Sequence, residues 1–375
     1  MRNSSCLNKL CIKFFLSLSS VFIALLIIEF FARIVFDPID YLKPRRVYDE
    51  ILGFRIQPGT GAHDKWGFRN KIVPQKANYI TIGDSHTYGI SAKASDSWPS
   101  YIERISGKVT YNLSLPGYGP VEYYYLLENN VFELNPDTVF VGLYLGNDLL
   151  NAFDSVYSNE HWAFLRNKNI QTKKINRKKN KYEDTFFHRL RHFLPGNSVI
   201  YRLISSSVMG DQLRQLRRLY KGQDIIMYEN SIFNIDTGFL PEVRLKALDL
   251  SDLEVSEGLR ITIELINKMN SLCNQENIEL IVVIIPTKES VYSEFIENNY
   301  SLPDSDLIND VIKNEREINK LIKSDLNRYR IKYVDVLPFL MAKTHSEQLY
   351  PENFGGHVNK NGYKIIATSV LNYVR

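Results

Sequence analysis

Five apolar runs of strand length, Tyr79 to Ile82, Val109 to Leu113, Thr138 to Leu145, Glu279 to Ile285 and Ile331 to Val336, are separated by longer amphipathic stretches. That alternation is the pattern of a parallel sheet covered by helices. Trp98 to Ile105, Val121 to Phe132, Ser256 to Asn274, Asp306 to Asn327 and Lys360 to Val374 have the spacing of the covering helices. The expected fold is therefore α/β, a three-layer sandwich around a five-stranded parallel, flavodoxin-like sheet. In such sheets the ligand site lies beyond the carboxyl ends of the strands, so the turns leaving each strand are where chemistry is sought.

Ahead of this pattern lies an uncharged run, Phe14 to Ile28, whose apolar character resumes after Glu29 as far as Phe36. With Lys13 and Arg33 snorkelling toward head groups, the stretch is about long enough to cross a hydrocarbon core that needs roughly 20 residues. The expectation is a transmembrane helix over 14–36 after a short tail, 1–13. The competing reading is a cleaved signal peptide, but IEFFARIVF offers bulky residues where a small-residue cleavage site is expected. Cys6 precedes the apolar run, so a lipoprotein-type cysteine is not supported. Basic residues flank both ends, Arg2, Lys9 and Lys13 against Arg33, Lys43, Arg45 and Arg46. The positive-inside rule therefore does not orient the span. A tail this short stays easily in the cytoplasm, so the large domain is expected outside it. Glu29 reads either as a functional intramembrane carboxylate or as an interfacial charge facing Arg33 one turn on.

A juxtamembrane segment, 37–75, leads into the main domain, 76–375. The interval from about Phe153 to Val255 interrupts the rhythm and reads as a helical insertion. It holds the basic run RNKNIQTKKINRKKNK, Arg166 to Lys181, either a lid meeting an anionic substrate or a solvated polar loop. The formal net charge of +4 over 375 residues gives no domain-wide basic field, so nucleic acid is not expected as a partner. Cys6, Cys11 and Cys273 leave the main domain without an internal disulfide pair, and neither CxxC nor HExxH occurs. No metal, nucleotide or redox cofactor is implied.

Three strand exits and one loop carry candidate chemistry. YITIGDSHTYG runs from a strand straight into Gly83, Asp84, Ser85 and His86. A serine there suits a nucleophile, with helix N–H groups aimed at a developing oxyanion, although serine also caps helices. VTYNLSLPGYGP ends the second strand with Gly117 and Gly119, and VFVGLYLGNDLL ends the third with Gly146, Asn147 and Asp148. A glycine N–H and an asparagine amide can supply oxyanion donors. LYPENFGGHVNKNGYKIIA places His357 in a glycine-rich loop ahead of the terminal helix, where it can serve as general base to a serine.

GDSHTYG, NLSLPGYGP, LYLGND and GHVNKNG resemble, in order and spacing, the sequence blocks of the SGNH (GDSL-type) hydrolases. The resemblance covers about 300 residues, excluding the insertion. It implies Ser85 as nucleophile, Ser85, Gly117 and Asn147 as the oxyanion hole, and His357 as base. KWGFRNKIVP and IIPTKESVY also look like stretches of membrane-anchored bacterial members. One position departs: the family usually carries an Asp three residues before the histidine, and here Phe354 stands there. Glu352 or a loop carbonyl is the substitute acid partner to be sought, or the site runs as a Ser–His dyad. His86 resembles the GDSH turn of enzymes that move O-acetyl groups on polysaccharides, or is structural. The resemblance implies a serine-dependent esterase or O-acyltransferase acting on an acylated carbohydrate, an O-acetylated cell-surface glycan, or on a small ester. The alternative is a catalytically weak or inactive scaffold that binds glycan or assists polysaccharide assembly.

Overall fold

A computed structural model describes residues 2–170, 186–205, 226–230, 235–297, 305–352 and 355–374. Its strands are β1 (Arg46–Asp49), β2 (Gly53–Ile56), β3 (Tyr79–Gly83), β4 (Thr110–Ser114), β5 (Thr138–Tyr144), β6 (Ile226–Asn230), β7 (Ile235–Phe239), β8 (Glu279–Ile285) and β9 (Lys332–Asp335). Five of them form one sheet in the order β4-β3-β5-β8-β9, every pair parallel. The first connection runs outward to β4 and the later ones to the other side of β3, so a topological switch point lies between β3 and β5. The five expected strands are these five.

Period-two alternation assigns the faces. On β5, Val139, Val141 and Leu143 join one core with Leu280, Val282 and Ile284 of β8. Phe140 and Tyr144 join the other with Ile281, Val283 and Ile285. Burial on both faces is why these strands read as continuous apolar runs.

The helices are α1 (Arg2–Val35), α2 (Pro38–Tyr41), α3 (Ser85–Tyr88), α4 (Trp98–Ser106), α5 (Pro120–Leu126), α6 (Asp148–Ser158), α7 (Phe186–Asn197) and α8 (Val199–Ser205). After them come α9 (Pro241–Leu248), α10 (Leu253–Gln275), α11 (Lys288–Val291), α12 (Ser293–Glu297), α13 (Ser305–Arg328), α14 (Leu337–Met341) and α15 (Lys360–Val374). The first core takes Tyr123 and Leu126 of α5, Ile266 and Met269 of α10, and Ile318 and Ile322 of α13. The second takes Trp98 and Ile102 of α4 and Tyr363, Ile366 and Val370 of α15. The result is a three-layer sandwich.

Within α1, Ile12–Val35 is long and apolar enough to cross a membrane, with a mean hydropathy of 2.4. Glu29 pairs with Arg33 at 2.8 Å, and its carboxylate also accepts from Ser198 Oγ and from the N–H groups of Val199 and Ile200. Those N–H groups open α8, so Glu29 caps a second helix and ties the insertion to the end of the apolar helix. The pairing of Glu29 with Arg33 one turn on is the contact that the second of its two readings expects.

Residues 37–75 pack onto the domain. Asp64 holds the segment in shape by accepting from Trp66 N at 2.9 Å, Phe68 N at 3.1 Å, Asn70 Nδ2 at 3.1 Å and the buried Tyr111 hydroxyl at 2.7 Å. Asn70 then bonds both the N–H and the carbonyl of Asn112 on the edge strand β4. Helix α6 spans the start of the interval read as an insertion, yet Ala152, Phe153 and Val156 are buried against Ile261 and Leu265 of α10. The basic run beyond Ile170 lies outside the described residues.

Candidate active site

The serine turn is built by close approach at the end of β3. Gly83 and its register partner Gly142 lie under Thr87, and a Cβ on either would overlap Thr87 Oγ1. This lets α3 start directly on the sheet. Asp84 caps α3, its Oδ1 accepting from His86 N at 2.8 Å. Asn112 Nδ2 donates to Thr87 O at 3.0 Å, and His63 stacks on Tyr88 while its Nε2 meets the Tyr88 hydroxyl at 2.9 Å. Short as it is, α3 is clamped from two sides.

Ser85 Oγ stands 2.8 Å from His357 Nε2, and 3.2 Å from Asp84 Oδ2. The hydroxyl has one proton to give, so these two acceptors compete for it. With Nε2 as acceptor, His357 is the Nδ1–H tautomer. Glu352 is exposed and makes no hydrogen bond to His357. Among the described residues, no carboxylate bonds His357 Nδ1. Phe354, the residue at the position where the resembling family carries its Asp, lies outside the described residues.

Charge around the pair runs in an unusual direction. Burial, and then the cations Arg244 and Lys288, push His357 from an ordinary 6.5 down to about 4. His86 lies between His357 and Tyr144, its ring 4.5 Å from the first and stacked 3.7 Å from the second. Burial drives its basicity well below the usual range, and its Nδ1 has no partner. It forms a wall behind the His357 ring. Asp84 is fully enclosed, and burial raises its carboxyl to about 6 against the pull of His86 N, the Ser85 hydroxyl and the Asn147 amide.

Gly117 follows β4 with φ of 95°, a left-handed conformation that disfavours any side chain. Its loop is braced from the juxtamembrane segment: Arg46 Nη2 donates to Pro116 O at 2.7 Å, and the Tyr118 hydroxyl to Phe54 O at 2.9 Å. Asn147 stands at the N-cap position of α6 without a side-chain cap bond, and its amide favours the charged form of the Asp84 carboxyl. Its position is held by buried Asp148, which accepts from Tyr144 N at 2.9 Å and from the Tyr123 hydroxyl at 3.1 Å. Ser85, Asn147, Gly117 and His357 thus sit at the carboxyl edge of the sheet, on the exits of β3, β5 and β4 and on the loop entering α15. A pair like this can take a proton from the serine hydroxyl while amide donors face the oxygen that gains charge.

The chain is similar to several solved structures. A member of the lipolytic protein G-D-S-L family from Veillonella parvula is 14% identical, covering 78% of this chain and 96% of its own, with a TM-score of 0.34. A GDSL-like lipase from Bacteroides thetaiotaomicron is 11% identical over 80% of this chain and 91% of its own, TM-score 0.38. A catalytic mutant of an acetylxylan esterase from Geobacillus stearothermophilus is 11% identical over 80% and 95%, TM-score 0.39. These neighbours are lipolytic and esterolytic proteins. No family model matches the sequence, and no curated protein does.

Two cations at the site escaped the motif reading. Arg244 comes from α9, in the interval read as an insertion, and Lys288 from IIPTKESVY after β8. Lys288 is buried, its Nζ 2.9 Å from Thr237 Oγ1 and within 5.6 Å of the Phe239 and Tyr350 rings. Burial brings it down to about 7. Behind it Thr287 donates from N and Oγ1 to Glu315, whose carboxyl burial raises to about 7. The IIPTKESVY stretch was the available signal, but nothing local says which strand exit it faces. Among the described residues, no group of three or more His, Cys, Asp or Glu is placed to hold a metal ion. A cavity of about 880 Å³ lies away from Ser85, between the end of α1 and the β4 edge.

Proposed function

We propose that the protein is a serine-dependent ester hydrolase or O-acyltransferase of the SGNH type, acting through an acyl-Ser85 intermediate on an acylated, O-acetylated cell-surface glycan. The observation that carries this reading is the 2.8 Å contact between Ser85 Oγ and His357 Nε2 at the carboxyl edge of the sheet. His357 Nε2 takes the Ser85 proton as Oγ attacks the ester carbon. The N–H groups of Ser85 and Gly117 and the Asn147 amide receive the tetrahedral oxygen. Collapse returns the proton to the departing alcohol and leaves an ester on Ser85, which water or a sugar hydroxyl then resolves. The helix Ile12–Val35 holds the domain to a membrane, with the catalytic part on the extracytoplasmic side. The four blocks and the anchor support the glycan reading.

Acetate release by the full chain in detergent micelles, with and without oligosaccharide acceptor, tests the proposal beside Ser85→Ala. Release that vanishes in the variant supports the esterase. Turnover that requires acceptor selects transfer, and turnover surviving in Ser85→Ala removes Ser85 from the chemistry. A second reading, an inactive glycan-binding scaffold, draws on the absence of a carboxylate at His357 Nδ1 among the described residues. Stoichiometric labelling of Ser85 by a fluorophosphonate would eliminate it.

A further inference from the structure

Arg244 occupies a place that the acyl chemistry above does not use. It projects from α9 with its guanidinium between two walls of the site. Nη1 donates to Gly146 O at 3.2 Å, beside Asn147, while Nη2 lies so close to Gly356, beside His357, that a Cβ there would overlap it. The guanidinium carbon stands 5.4 Å over the Tyr144 ring, whose buried hydroxyl has no partner. Among the described residues its one hydrogen bond is to a carbonyl, and no carboxylate lies within ion-pair distance of it. A guanidinium presents a planar fork that matches a carboxylate. Here it is held against the catalytic pair with that fork unmatched.

The geometry points to Arg244 as the anchor for a carboxylate carried by the substrate, so that the scissile ester belongs to an anionic molecule.

The charge balance of the reaction agrees. When His357 takes the Ser85 proton it becomes a cation beside Arg244, and among the described residues no carboxylate bonds its ring; the buried carboxyls of Glu289, Glu315 and Asp84 act on Arg244 only from beyond ion-pair distance. A substrate carboxylate on Arg244 cancels the opposing charge at that moment. The substrate then adds the direct carboxylate contact that Arg244 lacks among the described residues. This inference borrows from the proposed function only the position of the ester over Ser85; the presence of an anion subsite is tested without turnover.

The full chain in detergent micelles is the material. An O-acetylated oligogalacturonide and its carboxyl methyl ester form one pair of probes, and 4-nitrophenyl hydrogen succinate and 4-nitrophenyl methyl succinate the other. The first pair places the carboxylate on the glycan, the second on the acyl chain. Calorimetric titration into Ser85→Ala measures binding, and kcat/KM in the unaltered chain measures turnover. The expected result is a preference of about 10-fold or more for the free acid in one pair, the value of one charged hydrogen bond. That preference falls toward unity in Arg244→Gln and is partly kept in Arg244→Lys. Equal binding of acid and methyl ester in both pairs overturns the inference, as does a preference that survives in Arg244→Gln. Acid-selective binding with no turnover of any ester leaves the subsite standing and removes the proposed function. Turnover of neutral esters without charge preference does the reverse.

Discussion

The proposed base, His357, should remain competent at a pH where an ordinary histidine fails. As the proposed general base His357 acts only in its neutral form, so kcat/KM should rise as pH climbs through its value in the free enzyme. With that value at about 4, about nine-tenths of the protein carries a neutral His357 at pH 5. With the usual 6.5, only about 3% would, so the two cases differ roughly 30-fold in kcat/KM at that pH. The groups facing the ring are Arg244, Lys288, His86 and Ser85. Burial holds the basicity of His86 well below the usual range as well. Asp84 titrates at about 6 and shares the Ser85 hydroxyl, so a rate profile alone can carry its step as well. The assay therefore pairs kcat/KM for a small acetyl ester from pH 3.5 to 8 with nitrogen chemical shifts of the labelled His357 ring, assigned by His357→Gln. Circular dichroism confirms that the chain stays folded. A ring midpoint at 6 or above in the folded protein would refute the claim that burial and the two cations govern the base.

Asn147→Ala should lower kcat by about 100- to 1000-fold with little change in KM, the usual loss for one oxyanion donor; a comparable rise in KM alone would remove Asn147 from the transition state. Gly142→Ala should cost about 1–3 kcal/mol by forcing a methyl into Thr87. Urea unfolding of that variant and of Gly142→Ala with Thr87→Ala checks it, since the second change should recover most of the loss, and simple additivity would exclude the clash. Glu29→Ala strips the cap from α8, so amide exchange at Val199 and Ile200 should speed up by about 10-fold or more. Unchanged exchange would mean that the apolar helix does not hold α8.

Much of the architecture was legible because both-face burial writes itself as uninterrupted apolar runs, and Tyr79–Gly83, Thr138–Tyr144 and Glu279–Ile285 are buried along nearly their whole lengths. Ser85 and His357 were candidates for a different reason: each is an ordinary turn or loop residue by itself, and the four motif blocks in order singled them out, after which the structure brings the two side chains to 2.8 Å. Helix α6 was hidden because GNDLLN announces a turn while Leu149, Ala152, Phe153 and Val156 then continue at helical spacing into an interval of mixed signals. Arg244 was hidden more deeply. Its partner is a backbone carbonyl 98 residues earlier in the chain, and a carbonyl leaves no mark in a sequence. The pairing of Gly83 with Gly142 was likewise invisible until Thr87 was seen over both.

The juxtamembrane segment changes what counts as the domain. Reading 37–75 as a tether predicts that the site is indifferent to it, yet Arg46 and Phe54 hold the loop of Gly117, and Asp64 and Asn70 reach Tyr111 and Asn112 on the edge strand. Arg69 continues the connection: it donates to Gly89 O, just past the serine helix, at 2.9 Å and to Asp40 Oδ1, just past the apolar helix, at 3.0 Å. That ion pair is largely buried, so breaking one side leaves an uncompensated charge and costs more than a surface pair would. Two of the proposed oxyanion donors, Ser85 and Gly117, are therefore braced by residues lying between the apolar helix and the first strand of the sheet. A chain cut at residue 76 would keep all four motif residues and lose the contacts that aim two of them.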